Sequence, residues 1–196
     1  MWSVLTWMRD LVTEYTWFWW SSNSSDSRAI LLVGLDDAGK TTLTGRLTQN
    51  RLIQTAPSAK PSKYEVKIGS THLAVTDVGG HAQARRLWKE YMFASTRLIF
   101  ILDASNRQRI PEARHELMKI LDDEDVQSIP ILILANKIDN VATACGEQEL
   151  RYHLQIENFL NVEDPRVKLC MCSISRNEGF TDGIKWLINQ SIKANE

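Results

Sequence analysis

At 196 residues, with 43% hydrophobic and 24% charged residues, the chain has the composition of an ordinary soluble protein and the length of one globular domain with a sizeable core. Its formal net charge of −1 excludes a global basic field, so nucleic acid is not an expected partner and any contact with an anionic membrane must be local. The three cysteines are an odd number, and Cys170 and Cys172 alternate with Leu169 and Met171 as one face of a strand would, which points to thiols packed in a core in a reducing compartment.

Residues 1–20, MWSVLTWMRDLVTEYTWFWW, hold five of the seven tryptophans. Trp2, Leu5, Met8, Val12, Tyr15 and Trp19 fall three or four apart and form one helical stripe, while Arg9, Asp10 and Glu14 interrupt it. A membrane span needs about 20 mostly apolar residues, so this stretch does not cross a bilayer. It also lacks the basic start and small-residue cleavage site of a secretory leader. Two readings stand: a helix packed on the domain's own surface, or an amphipathic helix lying in a bilayer interface, where tryptophan is well suited. Residue 2 is not the glycine that myristoylation needs and the chain ends Lys-Ala-Asn-Glu, so lipid anchors are not expected. Residues 21–27, SSNSSDS, read as a flexible linker, and the folded domain is expected over 28–196.

The apolar run 29–33 reads as a buried strand, followed by Gly34, Gly39, Lys40 and Thr41 in the spacing G-x-x-x-x-G-K-T and then by a segment with helical spacing. That is the context of a phosphate-binding loop. Backbone N–H groups of Asp37, Ala38, Gly39, Lys40, Thr41 and Thr42, joined by the positive end of the helix, can surround a phosphate chain. Lys40 would set a point charge between β- and γ-phosphates, and the Thr41 hydroxyl would be one ligand of Mg²⁺. Leu43, Leu47 and Leu52 continue the helix, and Pro57 and Pro61 mark an irregular loop.

Strands are expected at 64–68 and 71–76, joined as a hairpin through Gly69 and Ser70. The second leads into Asp77-Val78-Gly79-Gly80-His81. An acid at the end of an apolar strand is placed to hold Mg²⁺, and the glycines let the Gly80 N–H reach a γ-phosphate. A helix at 84–91, a strand at 98–102 and a helix at 111–121 follow, with the acidic run 122–125 read as a solvated helix end. The apolar strand 131–135 leads into Asn136-Lys137-Ile138-Asp139. The N-K-x-D spacing gives a reason for guanine: the Asp139 carboxylate can accept from both the ring N–H and the exocyclic amine, and the Lys137 stem can lie over the base. A last strand is expected at 167–172 and a last helix at 178–192.

With these motifs read, the chain resembles the Ras-like small GTPases, and more narrowly the Arf and Sar branch, on GLDDAGKTTL at 34–43, DVGGHAQARRLWKEY at 77–91, IPILILANKID at 129–139 and CSISRNEGF at 172–180. Histidine after the double glycine points to the Sar-type GTPases of the COPII coat, since Arf and Ras proteins have glutamine there. The resemblance implies a doubly wound α/β fold, with a mostly parallel sheet, one antiparallel edge hairpin and an amphipathic N-terminal helix. It implies GTP and GDP as ligands with Mg²⁺, and slow GTP hydrolysis. The implied site adds Cys172, Ser173 and Ile174 as the loop that meets the guanine carbonyl, Asn136 as its brace, and His81 as the residue that positions the attacking water. Ser58, after Pro57, stands where the family has the threonine that binds Mg²⁺, and Asp37 where asparagine is frequent. Arg85 and Arg86 read as surface charge, with the transition-state arginine supplied by a partner. His72, His115 and His153 have no motif around them. The implied partners are a membrane exchange factor on the endoplasmic reticulum, a coat subunit that activates hydrolysis and the coat's cargo adaptor. The implied place is the cytoplasmic face of that membrane and, beyond it, the Golgi, in exchange with cytosol. Rival readings are an Arf-like GTPase on another membrane, the non-cycling β-subunit of the signal-recognition-particle receptor, and a P-loop kinase. Residues 154–166 carry no functional reading.

Overall fold

A computed structural model describes residues 28–49, 61–68, 71–160 and 166–190. Residues 1–27, Leu52, Pro57, Ser58, residues 69–70 and residues 191–192 lie outside the described residues, as do the expectations that fall on them.

Six strands form one sheet in the order β2-β3-β1-β4-β5-β6: β1 (Arg28–Gly34), β2 (Ser62–Ile68), β3 (Thr71–Asp77), β4 (Arg97–Asp103), β5 (Ile131–Asn136) and β6 (Val167–Met171). Among the described strands of this sheet the β2–β3 edge pair is antiparallel, with Ile68 opposite Thr71, and the other four strand pairs are parallel. The helices are α1 (Lys40–Gln49), α2 (Ala82–Arg85), α3 (Trp88–Met92), α4 (Ile110–Leu121), α5 (Glu147–Leu154) and α6 (Thr181–Asn189).

Central strands of a parallel sheet are covered on both faces, which is why β4 and β5 are almost wholly apolar. Because side chains alternate across a strand, Leu31, Val33, Leu98, Phe100, Ile131 and Ile133 pack with Trp88 of α3, Leu117 of α4 and Leu150 of α5. Ile30, Leu32, Ile99, Ile101, Leu132 and Leu134 pack with Leu43 of α1 and Ile184 and Leu187 of α6. Cys172 and the half-buried Cys170 join this second face while Leu169 and Met171 join the first, as the alternation predicts, and all three cysteines are free thiols. The carboxyl ends of β1, β3, β4, β5 and β6 thus come to one edge, bringing Gly34, Asp77, Asp103, Asn136 and Cys172 together. In an open parallel sheet that edge is where ligands bind.

Three expectations need correction. The helix expected at 84–91 is two short helices, because the chain tightens at Leu87, whose N–H bonds Ala84 O at 3.0 Å before Tyr91 N–H resumes the helix on Leu87 O. The last helix begins at Thr181, since Glu178 exchanges backbone hydrogen bonds with Ser173 and Gly179 turns the chain at φ +81°. Within the acidic run, Asp123 is not solvated: its side chain is 14% exposed, accepts from the Asp125 N–H at 3.0 Å and pairs with Lys89 at 3.1 Å, tying α3 to the end of α4. Among the described residues no helix is long and apolar enough to cross a membrane.

Phe100 is fully buried at the centre of the sheet and meets Trp88 edge to face, with ring centroids 6.3 Å apart. Phe100→Ala is therefore expected to lower the unfolding free energy by about 3–5 kcal/mol, read from denaturant titration with unchanged slope. A loss below about 1 kcal/mol would mean that this layer can collapse around the missing ring.

Candidate nucleotide site

The loop between β1 and α1 is shaped by glycines that admit nothing larger. A Cβ on Gly34 (φ +142°) would lie 2.0 Å from the Ile101 carbonyl oxygen, and one on Gly39 (φ +103°) 2.4 Å from Asn136 Nδ2. Lys40 opens α1 with its side chain turned back into the loop, where Nζ donates to Gly34 O at 3.0 Å and Leu35 O at 2.8 Å. Only 7% of the residue is exposed, and burial pulls the ammonium down to a pKa of about 8 despite the nearby carboxylates of Asp77 and Asp36.

The Thr41 hydroxyl donates to Asp77 Oδ2 at 3.1 Å. Asp77 is 1% exposed, burial raises the pKa of its carboxyl, and among the described residues Oδ1 has no hydrogen-bond partner. A buried, unsatisfied carboxylate oxygen costs stability unless a cation or donor fills its place. Two hard oxygen donors side by side at the mouth of a phosphate loop fit Mg²⁺, which takes one or two protein ligands and completes its shell with phosphates and water. Thr41 and Asp77 would hold it. Ala38 is buried in the same loop, and Thr42 is half-buried on the first turn of α1.

The base-side residues gather around Asn136, which is 4% exposed. Its Nδ2 donates to Ala38 O at 2.9 Å and its Oδ1 accepts from the Ile174 N–H at 3.0 Å, so it braces the 172–174 segment against the phosphate loop. Asp139 accepts from Ser173 Oγ at 2.7 Å and Ser175 Oγ at 3.3 Å, and the Ser173 bond holds its carboxyl below the usual range. Burial works against the charge of Lys137, yet Asp103 at 2.9 Å and Asp37 at 3.2 Å hold its ammonium above the ordinary lysine value. Asp37 (87% exposed side chain, φ 60°) is thus the partner of Lys137. Burial pushes the Cys172 thiol up to about 12, which leaves it an inert packing group.

Gly80 lies against the phosphate loop: a Cβ there would sit 2.3 Å from Asp36 N and 2.4 Å from Gly34 O. His81 follows in extended conformation (φ −72°, ψ 153°), half-buried, and precedes α2. The Trp88 indole, 3% exposed, donates to Gly79 O at 3.0 Å. Arg86 is exposed as expected, but Arg85 is not surface charge: its side chain is 11% exposed and it bonds Gly80 O at 2.6 Å and Glu112 at 2.7 Å. Asp36, Asp103, Arg109 and Glu112 are site residues that sequence reasoning missed. For Asp103 a signal was present, since it ends an apolar strand just as Asp77 does. His72, His115 and His153 are exposed and stand apart from the site.

The model of the ADP-ribosylation factor family matches residues 18–191. The chain is 36% identical to the Giardia intestinalis small COPII coat GTPase SAR1 over 81% of its own length and 86% of that protein's. It is 35% identical to ADP-ribosylation factor-like protein 3 of Caenorhabditis elegans, covering 81% and 84%. The Nicotiana tabacum small COPII coat GTPase SAR1 is 32% identical over 84% and 89%. In fold it resembles the Arl6 BBS3 small GTPase of Trypanosoma brucei with bound GppNp, at a TM-score of 0.73, 24% identity and coverage of 82% and 95%.

Three expected outcomes follow from this geometry. Phosphates stabilise the charged form of Lys40, so binding raises its pKa from about 8; GDP affinity is level below that pH and falls above it, with proton uptake on binding. Titration calorimetry in buffers of different ionisation enthalpy reads the uptake, and pH-independent affinity across that window would take Lys40 out of phosphate contact. The same depressed value means that the unfolded chain binds more protons between about 8 and 10.5, so Lys40's contribution to fold stability rises with pH there. Asp139→Asn replaces acceptors with a donor and is expected to shift preference from guanine to xanthine nucleotides in competition binding. Undiminished guanine preference would show that Asp139 does not read the base.

Proposed function

We propose that this chain, which belongs to the ADP-ribosylation factor family and hydrolyses GTP bound with Mg²⁺, serves in it as a Sar-type switch. Loaded with GTP, it inserts residues 1–20 as an amphipathic helix into the cytoplasmic leaflet of the endoplasmic reticulum and recruits the inner COPII coat for budding towards the Golgi. Hydrolysis returns it to the cytosol. Its partners in this reading are a membrane exchange factor, the coat's activating subunit and its cargo adaptor. The observation that carries the reading is His81, in the place where Arf proteins have glutamine, directly after the Gly80 that packs on the phosphate loop. Likeness to the SAR1 proteins supports it.

Within the site, the backbone of residues 37–42 surrounds the phosphates. Lys40 gives up the carbonyls of Gly34 and Leu35 for the β- and γ-phosphate oxygens. Thr41 and Asp77, and in this reading Ser58, would hold Mg²⁺, which would supply charge neutralisation for the leaving phosphate oxygens. Asp139 and the backbone of Cys172, Ser173 and Ile174 read guanine, Asn136 braces that loop and Lys137 covers the base. The Gly80 N–H meets the γ-phosphate and His81 orients the attacking water. An imidazole suffices for that, because phosphoryl transfer depends on placement and electrostatics rather than on a strong base.

Residues 1–20 act as the membrane element, 21–27 as linker and 28–196 as the GTPase domain. Burying a large apolar side chain is worth about 1.5–3 kcal/mol, so the aromatic stripe can hold the bilayer without a lipid anchor. Flotation with liposomes is expected to bring up full-length protein with a non-hydrolysable GTP analogue but not with GDP, with little dependence on salt, because Asp10 and Glu14 rule out binding by charge alone. A chain starting at Ser24 should stay at the bottom in both states. Equal flotation of the full-length protein with both nucleotides would remove the switch reading. The 35% identity to an Arf-like protein favours a second reading, the same switch on another membrane. The location of the tagged protein in cells separates the two.

A further inference from the structure

We propose that Arg85 is a positioning residue for GTP hydrolysis, holding the peptide between Gly80 and His81 in place against the phosphate loop. Its Nε–H donates to Gly80 O at 2.6 Å, and that carbonyl belongs to the peptide that carries His81. The rest of the guanidinium is anchored on α4, to Glu112 Oε1 at 2.7 Å and Glu116 Oε1 at 3.4 Å, with Asp36 Oδ1 of the phosphate loop at 3.7 Å. Arg109 closes the arrangement by donating to Glu112 Oε2 at 2.8 Å, Asp36 Oδ1 at 2.8 Å and Asp36 O at 3.2 Å. Hydrogen bonds from Arg109 hold the carboxyls of Asp36 and Glu112 below their ordinary values, so both anchors stay ionised at neutral pH. On its other side the Gly80 peptide has no slack, since even a methyl group there would strike Asp36 N at 2.3 Å. The segment is therefore pinned between loop backbone and guanidinium.

The inference rests on the reading of His81 as the water-orienting group, and the experiment separates the two. Single-turnover hydrolysis of GTP by the full chain is measured for Arg85→Ala, Arg85→Lys, Glu112→Gln, His81→Gly and the Arg85→Ala/His81→Gly pair, with GTP affinity and thermal melting alongside. Arg85→Ala is expected to slow hydrolysis about ten- to a hundredfold with GTP affinity little changed, the size of loss that misplacement of a reacting group brings. Arg85→Lys should not restore the rate, because an ammonium lacks the planar fork that serves Gly80 and Glu112 together. Glu112→Gln should show a smaller fall in the same direction. Adding Arg85→Ala to His81→Gly should cost nothing further, since a residue acting through His81 has nothing left to position.

An undiminished rate in Arg85→Ala, full restoration by lysine, or losses that multiply in the double variant would each overturn the proposal. If Arg85→Ala does not fold, Glu112→Gln decides, and a wild-type rate there overturns it. If His81→Gly alone hydrolyses normally, the reading of His81 falls and this one with it; if His81→Gly is slow and Arg85→Ala fast, only this one falls.

Discussion

Asn136 donates to the carbonyl of Ala38 and accepts from the N–H of Ile174, so one buried amide joins the phosphate loop to a segment far along the chain. Both bonds lie in the interior, where leaving either partner unpaired costs more than the bond itself contributes. In the proposed reading, phosphate and base contacts come from different ends of the sequence, and a nucleotide would need both at a fixed separation. The amide holds the two segments together, and Gly39 must be a glycine partly because Asn136 Nδ2 would lie 2.4 Å from any Cβ there.

The charges of the site divide into those already satisfied and those held in reserve. Lys137 has Asp103 and Asp37, and Asp139 has Ser173 and Ser175, so the base-side groups are oriented before ligand arrives. Lys40 and Asp77 are buried with weaker compensation: burial lowers the ammonium's pKa and raises the carboxyl's, and Asp77 Oδ1 has no partner among the described residues. Phosphates and a divalent cation would relieve both together. That asymmetry makes the phosphate side the part of the site that gains most from being filled.

The Asp77-to-Trp88 segment is where ligand state can be passed to the rest of the molecule. The Trp88 indole holds Gly79 O, Arg85 holds Gly80 O, and Lys89 holds Asp123, so the short helices α2 and α3 hang from the turn at one end and from α4 at the other. A change in where Gly80 sits must be carried into these contacts, because the packed interior around Trp88 and Phe100 has no room to absorb it.

Local chemistry alone pointed to most of the candidate site. The glycine spacing with Lys40 and Thr41, the acid ending β3 and the N-K-x-D run are each read from consecutive residues, since a loop that could cradle phosphate or read a base is built by one short stretch of backbone. The strands were legible for a similar reason: full burial leaves uninterrupted apolar runs such as 131–135. What only the tertiary structure decided are the pairings across the chain. Nothing near Asp37 in sequence identifies Lys137 as its partner, and nothing near Arg85 distinguishes it from exposed Arg86. The same arginine is surface charge or a buried clamp according to whether α4 delivers Glu112 and Glu116 to its face. The division of residues 84–91 into two helices and the late start of α6 were not legible either, although their causes are local: the Leu87 N–H bond to Ala84 O in one case and the backbone exchange between Ser173 and Glu178 in the other outweigh a helical preference visible in sequence.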